Sequence, residues 1–169
     1  MTENLYTPDC IRTFSGIYVN VFEPKPEMFN IEDIAHALSH QPRFSGHLRD
    51  PYTVAQHSIH CSKMVPRQFA YQALMHDCSE AYLLDMPSPI KARMPEYKAV
   101  EDNLMKVLAE VFGFQYPLHA EVKKADKVML ELEWNQFMLG LDVEKPLPCF
   151  TQKMAKTAFL SQYHKLLKS

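Results

Sequence analysis

The chain has 169 residues, of which 47% are hydrophobic and 22% charged, and this composition predicts one compact domain over residues 1–169 with a substantial core. A net charge of −2 excludes the broad basic field that a long nucleic acid needs, although a small anionic ligand could still bind where positive charge is local. The four cysteines form no CxxC pair, and we find neither a signal peptide nor an apolar run near the roughly 20 residues that span a bilayer. We therefore expect a cytoplasmic protein with no membrane contact.

The N-terminal third of the chain predicts a small hairpin followed by two helices. Residues 11–22 place β-branched and aromatic residues on both sides of a Ser-Gly pair, which favours two short strands. Asn30 is a typical N-cap with acidic residues in the following turn, and Pro42 ends that helix. The sequence TVAQ, which starts at Thr53, has the spacing of a capping box and predicts a second helix to about residue 65.

Four more helices are predicted over the rest of the chain. Pro66 suits the first position of a helix that runs to about Leu84, where the prolines of DMPSP stop it. Apolar periodicity and stop signals predict the others over residues 95–112, 117–140 and 152–167. From the last helix we expect four side chains to face the core: Met154, Ala158, Leu160 and Leu167. The predicted fold class is an all-α, orthogonal-type bundle of about six or more helices with a possible small N-terminal β-hairpin.

His76 and Asp77 stand side by side in the otherwise apolar stretch ALMHDCSEAYLLDMPSPIK. Adjacent helical residues point about 100° apart, and burying two polar side chains there is costly unless they share a partner. A divalent cation is such a partner, and imidazole with carboxylate suits Zn, Mn, Fe or Co. His57 and Asp126 are the natural candidates for two further ligands, although His57 alone would be read as a hydrogen-bonded core residue.

Glu80 follows His76 by four residues and Asp77 by three, so it lies on the same helical face about one turn along. This placement is typical of a general acid or base acting on water near a metal, a role worth on the order of 100- to 10,000-fold in rate. The alternative for Glu80 is an ordinary solvated glutamate in a surface pair.

Other conspicuous side chains have simpler interpretations. We expect packing or surface roles for His36 and His40, and core packing for His60 and Cys61. His47 and Arg49 could instead touch the tail of a substrate. A solvated face is the interpretation of the remaining charged residues, and packing that of the only tryptophan: Lys123, Lys124, Lys127, Glu131, Glu133 and Trp134.

The order of His57, then His76-Asp77, then Asp126 resembles the H…HD…D signature of the HD-domain metal-dependent phosphohydrolases. Finer features resemble the small deoxynucleotidase branch, which includes bacterial 5′-deoxynucleotidases and phage dATP triphosphohydrolases. These features are the Arg43-Phe44 pair, VAQH ending at His57, Glu80 and DMPSPIK after the HD pair, and Ala125 before Asp126. The resemblance spans roughly residues 11 to 130.

The resemblance implies a role for each matching residue. One divalent transition metal, such as Zn, Co or Mn, would be held by His57, His76, Asp77 and Asp126. Glu80 would activate the attacking water, and Asp85 would lie over the sugar or the leaving oxygen. Arg43 and Lys91 would bind phosphate oxygens, while the prolines of DMPSPIK, Pro89 among them, would fix Asp85 and Lys91 against the nucleotide. Phe44, where this branch often has Trp, would lie beneath the sugar or base and leave no room for a 2′-hydroxyl.

The resemblance thus implies an HD-domain enzyme, oligomeric like its relatives, that cleaves the 5′ phosphate ester of 2′-deoxynucleotides in a bacterial or phage-infected cell. A dNTP is the favoured substrate, with dATP first, because the RTFSG segment and the segment from Asn30 to His47 look more like the phage members. The alternative substrate is a dNMP. Two other classes stay open: a nucleotide-binding sensor without catalysis, and a structural helical protein that binds no stoichiometric metal.

Overall fold

The structure, a computed structural model, describes residues 8–168. Two short antiparallel strands come first, β1 (Ile11–Arg12) and β2 (Tyr18–Val19), with Ile11 opposite Val19. The helices are α1 (Ile31–His40), α2 (Val54–Met64), α3 (Ala70–Met75), α4 (Glu80–Leu83), α5 (Ser88–Lys91), α6 (Pro95–Phe112), α7 (Ala120–Glu133) and α8 (Gln152–Leu167). Short 3-10 turns lie at Pro26–Met28, Arg43–Gly46 and Arg67–Phe69, and a π-helical turn at Trp134–Met138. The predicted all-α bundle with a small hairpin is confirmed.

Helix α2 lies at the centre of the fold, packed against α1, α3, α7 and α8. Its first five residues, Val54 to Ser58, are fully buried although three of them are polar. A helix surrounded on all sides has no solvated face, so its polar side chains must be satisfied by neighbours inside the protein. The His57 ligand candidate is therefore placed in the interior by the packing of its own helix.

The local signals for helix ends are confirmed. The Asn30 side chain accepts a hydrogen bond from the Asp33 backbone N–H, and Thr53 forms a complete capping box with Gln56. Gly113 ends α6 in a left-handed conformation, φ +70°, as a C-terminal glycine should. These signals depend on a few neighbouring residues, so the sequence suffices to locate them.

The prediction of one helix from Pro66 to Leu84 is wrong. Four residues, His76 to Ser79, separate α3 from α4. Across them the backbone N–H groups of Cys78, Glu80 and Tyr82 each bond the carbonyl three residues earlier, which tightens the chain relative to an α-helix. Leu84, near which the predicted helix would end, is 65% exposed.

Two C-terminal predictions also need correction. The helix predicted over 117–140 begins at Ala120, and after Glu133 it widens into the π-helical turn that buries Phe137 against Tyr52. In α8 the buried side chains are Ala155, Phe159 and Tyr163, whereas Met154 and Leu167 are more than half exposed. The buried stripe of α8 therefore contains Ala155 in place of its predicted neighbour Met154.

Three residues other than glycine have positive φ in the described part of the chain: Phe44, Ser45 and Leu84. Phe44 and Ser45 follow Arg43, and Leu84 precedes Asp85. Side chains with a Cβ are strained in this region, at a cost of about 1–3 kcal/mol each. The strain is thus concentrated on both sides of one ion pair, Arg43 with Asp85. No helix within residues 8–168 has the length and apolar character to cross a membrane.

Candidate metal centre

The structure brings the four predicted metal ligands together. The Nε2 atoms of His57 and His76 are 3.3 Å apart, and each lies 3.1 Å from a carboxylate oxygen, His57 from Asp126 and His76 from Asp77. The remaining cross distances are 3.5 Å between His57 and Asp77 and 3.9 Å between His76 and Asp126. Ligand atoms bound to one metal at about 2.1 Å, with bond angles of 90–109°, lie about 3.0–3.4 Å apart. Most of these separations therefore match a shared cation.

The two neighbours His76 and Asp77 reach the same point although adjacent helical residues point about 100° apart. The His76 Nε2 atom and an Asp77 carboxylate oxygen lie 3.1 Å apart, so the two side chains bend toward each other at the end of α3. His57 comes from the buried first turn of α2 and Asp126 from the middle of α7.

Hydrogen bonds fix which nitrogen of each histidine carries a proton. His57 Nδ1 lies 2.7 Å from Glu133 Oε1, and His76 Nδ1 lies 2.8 Å from the Ala73 carbonyl oxygen. Both partners are acceptors, so both Nδ1 atoms donate, and in the neutral imidazoles both Nε2 atoms present lone pairs. With both imidazoles neutral, two lone pairs and two carboxylate oxygens thus converge on one point with no donor among them, an arrangement that a proton or a metal cation would neutralise.

Cys61 adds a third buried group at the same place. Its Sγ atom is 3.6 Å from His57 Nε2, and His57, Cys61 and His76 form a fully buried group whose ligand atoms all lie within 4.8 Å of one another. This group could hold a metal ion. Cys61 is buried, as predicted for a core residue, but its thiol also lies beside the candidate metal ligands.

The electrostatics of the centre show an excess of negative charge. Burial and the Arg43 charge lower the pKa of His57, but Glu133 and Asp126 outweigh them, and its pKa lies well above the ordinary value. Burial likewise opposes protonation of His76, and Asp77 and Asp126 raise its pKa well above the ordinary value. Both imidazoles therefore attract positive charge, as a proton or as a metal ion.

Glu80 is buried beside this centre. Burial, followed by the charges of Asp77 and Asp85, raises the pKa of Glu80 well above its ordinary value. Among the described residues no group hydrogen-bonds its Oε2 atom. A buried carboxylate oxygen without a partner is costly, so this atom is available to a small polar molecule such as water. The interpretation of Glu80 as a solvated surface residue is wrong.

Arg43 is the cation at the edge of the centre, and it is already paired. Its Nη1 donates to Asp85 at 2.9 Å and its Nε donates to Glu133 at 3.1 Å. Burial lowers the pKa of Arg43, but four carboxylates, Glu133 foremost, raise it above the ordinary value, so the guanidinium stays charged. Glu133, predicted to lie on a solvated face, is fully buried and bonds both Arg43 and His57. Its signal in the sequence was its spacing of four residues from the buried Met129 on α7.

A cavity of about 990 Å³ adjoins the centre through Arg43 and Asp85, which form part of its wall. Its other walls are mainly apolar and include Phe44, Pro89 and Trp134. The Phe44 and Trp134 rings meet edge to face at 5.8 Å, and the Arg43 guanidinium lies 5.5 Å from the Phe44 centroid. Trp134 thus packs against Phe44, but it is also 46% exposed and forms part of the cavity wall.

The remaining predicted residues divide between the site and the packing. Lys91 lies 2.5 Å from Glu101 and beside the Tyr97 ring, and it does not line the cavity. His47 does line the cavity, whereas the Arg49 guanidinium covers Gly140. The packing role of His36 and His40 is confirmed, because their rings stack on each other at 4.2 Å and His36 stacks on Phe14. His60 packs beside Tyr52 and bonds its hydroxyl at 2.7 Å.

Comparison with known proteins yields two relatives. An uncharacterized protein of Escherichia coli K12, YfdR, is 43% identical over 132 residues, which cover 78% of this chain and 73% of YfdR. An uncharacterized protein of Rhodobacter capsulatus is 30% identical over 187 aligned residues, which cover 94% of this chain and 95% of that protein. No family model matches the chain. The names of these relatives assign no activity.

Proposed function

The chain belongs to the protein family that includes YfdR of Escherichia coli, and we propose that it is a metal-dependent phosphohydrolase that cleaves the 5′ phosphate ester of 2′-deoxynucleotides. The observation that carries this proposal is the convergence of two histidine lone pairs and two carboxylates beside a free glutamate oxygen. A purely structural helical protein has no need to bury such a set, because each unpaired group lowers its stability.

His57, His76, Asp77 and Asp126 would hold one divalent transition metal, such as Zn, Co or Mn. Their donors, two imidazoles and two carboxylates, suit these ions, and the side chains of Asp77 and Asp126 are 18% and 46% exposed. The centre is therefore open to solvent on its carboxylate side and closed on its histidine side. When bound, such a metal would act as a Lewis acid toward a phosphoryl oxygen and lower the pKa of water.

Glu80 is the group that we assign to proton transfer. Its Oε2 atom is buried and has no hydrogen-bond partner among residues 8–168, so it is free to orient a water molecule at the centre and to accept its proton. Burial and the surrounding carboxylates give Glu80 a high proton affinity, which suits a general base. Asp85, held by Arg43, lies at the cavity wall, where it would face the sugar or the leaving oxygen.

The cavity has the size and lining for the nucleoside part of the substrate. Binding pockets of roughly 300–1,000 Å³ with apolar walls and a few polar groups are typical of small organic ligands. Phe44 and Trp134 offer aromatic surface to a base, and Pro89 is part of the wall beside Asp85. Arg43 and Lys91 carry the positive charge for the phosphate; each would exchange a carboxylate partner for a phosphate oxygen.

A dNTP, dATP first, is the substrate that we favour. Lys123 and Lys127 are exposed on α7 on either side of Asp126 and form no ion pair in the described part of the chain. A triphosphate carries more negative charge than a monophosphate, so exposed lysines beside the open carboxylate side of the centre favour it. The alternative substrate is a dNMP, which would use Arg43 and Lys91 alone.

The decisive experiment incubates metal-loaded protein with dATP or dAMP and separates the products by chromatography. Triphosphate and deoxyadenosine from dATP are the expected products; phosphate from dAMP alone would refute the triphosphohydrolase activity. Glu80→Gln should lower turnover by at least about 100-fold, because the amide cannot accept the proton of water. The exposed Glu110→Gln is the matched control and should keep full activity.

Nucleotide binding can be followed in the same variants through Trp134, the only tryptophan and a wall of the cavity. We expect dATP to change Trp134 fluorescence equally in the wild type and in Glu80→Gln. A wild type that binds dATP by this measure yet releases no product would instead establish a nucleotide-binding sensor. A protein that retains no stoichiometric metal in elemental analysis, with His76→Ala as reference, would refute the metal centre.

A further inference from the structure

Glu133 is a fully buried carboxylate that touches neither the four proposed metal ligand atoms nor the cavity, except through other residues. Its two oxygens are divided between two partners. Oε1 accepts from His57 Nδ1 at 2.7 Å, and Oε2 accepts from Arg43 Nε at 3.1 Å. A buried charge is tolerated only when its oxygens are well paired, and here a single carboxylate links a metal ligand to the cation of the substrate site.

We propose that Glu133 is a positioning residue that couples the metal centre to Arg43, an inference that rests on the function proposed above. Toward the metal, its negative charge keeps the proton of His57 on Nδ1, so the Nε2 lone pair faces the centre. A carboxylate behind a ligating histidine fixes the ring orientation and raises the basicity of the coordinating nitrogen. His57 has no other partner on its Nδ1 side among the described residues.

The Nδ1 proton of His76, unlike that of His57, is held by the backbone. Its Nδ1 donates to the Ala73 backbone carbonyl at 2.8 Å, a neutral acceptor three residues earlier in the same segment. The local fold of the His76 segment therefore sets its tautomer, whereas His57 depends on a charged side chain 76 residues away in sequence. A side-chain substitution can therefore remove the acceptor of His57, which is Glu133, but not that of His76, which is a backbone carbonyl.

Toward the substrate, Glu133 fixes one edge of the Arg43 guanidinium. It holds Nε in the interior, while Nη1 points to Asp85 at the cavity wall. The planar guanidinium can thus keep its inner bond while a phosphate oxygen replaces or joins Asp85 on its outer edge. Loss of Glu133 should therefore weaken both metal binding and substrate binding, although Glu133 contacts neither metal nor substrate.

The test is Glu133→Gln, which preserves the size of the side chain. Its amide keeps one acceptor oxygen and replaces the other with an NH₂ donor, so the N–H of either His57 or Arg43 would face a donor in place of a carboxylate oxygen. We expect the affinity for Co²⁺, measured by visible absorption titration of the metal-free protein, to fall by about 10- to 100-fold. At saturating Co²⁺, KM for dATP should also rise, because Arg43 loses its inner anchor. Glu110→Gln should change neither quantity.

A Glu133→Gln variant that folds and binds Co²⁺ as tightly as the wild type would overturn this inference alone. A wild type that binds no Co²⁺ would overturn the proposed function as well. If the variant does not fold, the wild type decides: long-range ¹H–¹⁵N spectra of the Zn²⁺-loaded protein should show the proton of His57 on Nδ1. A proton on Nε2 of His57 would refute the inference.

Discussion

Leu84 is held in a backbone conformation that only glycine adopts without strain, and Leu84→Gly tests whether the protein stores free energy there. Its φ of +69° and ψ of 155° place it in a region occupied almost only by glycine, at a cost of about 1–3 kcal/mol. The side chain is 65% exposed, so its loss removes only about 0.5–1 kcal/mol of apolar burial. The added freedom of the unfolded chain costs about 0.4–1 kcal/mol more.

These terms nearly cancel for Leu84→Gly, so we expect its free energy of unfolding to change little or to rise slightly. Leu139 provides the matched control, because it is 49% exposed and has ordinary dihedral angles, φ −88° and ψ −21°. Leu139→Gly should lower the free energy of unfolding by about 1.5–2 kcal/mol, since it loses burial and gains unfolded-state entropy without relief of strain. The two variants should therefore differ by about 1–3 kcal/mol.

Urea denaturation of the metal-free proteins, followed by far-UV circular dichroism and by Trp134 fluorescence, measures this difference. Chelator in every sample removes the contribution of metal binding, which would otherwise shift all transitions. The m-values of the two variants should agree, so that midpoints compare directly. Equal destabilisation by Leu84→Gly and Leu139→Gly would refute the conclusion that the backbone before Asp85 is strained.

Two further predictions concern Cys61 at the candidate metal centre and Asp33 at the start of α1. Elemental analysis of Cys61→Ala should still find one metal ion per chain, because the proposed ligands are His57, His76 and two carboxylates. A thiolate-to-metal charge-transfer band in the Co²⁺-loaded wild type would contradict this prediction and make Cys61 a ligand. Asp33 gives a prediction about pH. Burial opposes its ionisation, but hydrogen bonds from Ser15 and Asn30 outweigh burial and lower its pKa. The ionised carboxylate therefore stabilises the fold fully above about pH 4, the pKa in the unfolded chain, and this stabilisation is lost as the pH falls through the lower pKa of the folded state. Asp33→Asn should therefore lower the free energy of unfolding by about 1–2 kcal/mol at pH 7, and urea titrations should show this difference shrinking as the pH drops below about 4; a difference that does not depend on pH would contradict the ionised hydrogen-bonded state.

Features encoded by neighbouring residues could be predicted from the sequence. The caps at Asn30 and Thr53 and the stop at Gly113 each depend on one side chain and the backbone within a few positions. The convergence of His57 with Asp126 could be predicted for a different reason. Burying the adjacent His76 and Asp77 is costly without a shared partner, and a cation in that place needs further ligands, for which His57 and Asp126 are the candidates.

Features that depend on tertiary packing could not be predicted in the same way. The sequence does not predict the register of α8, because apolar residues are scattered around that helix and its contacts with α1, α2 and α3 select Ala155, Phe159 and Tyr163 for burial. The break at His76 to Ser79 was missed because a helical pattern does not show where the backbone tightens. Glu133 was missed because its neighbours in LELEW include exposed residues, although its spacing from Met129 placed it on the buried face.

The features that destabilise this fold are concentrated around Arg43, Asp85 and the two candidate histidine ligands. Arg43 is buried among four carboxylates, and the Nε2 atoms of two histidines lie 3.3 Å apart. Within residues 8–168, the three residues other than glycine with positive φ lie within two positions of Arg43 or Asp85. Each feature lowers the stability of the metal-free protein, and none is needed to close the core formed by α1, α2, α6 and α8. A bound divalent cation would neutralise the excess charge, and at 100 times its dissociation constant it would add about 2.7 kcal/mol of stability. If the proposed function holds, the apolar core keeps the site in a state that a cation would complete, and Glu133 would carry the effect of that cation to Arg43.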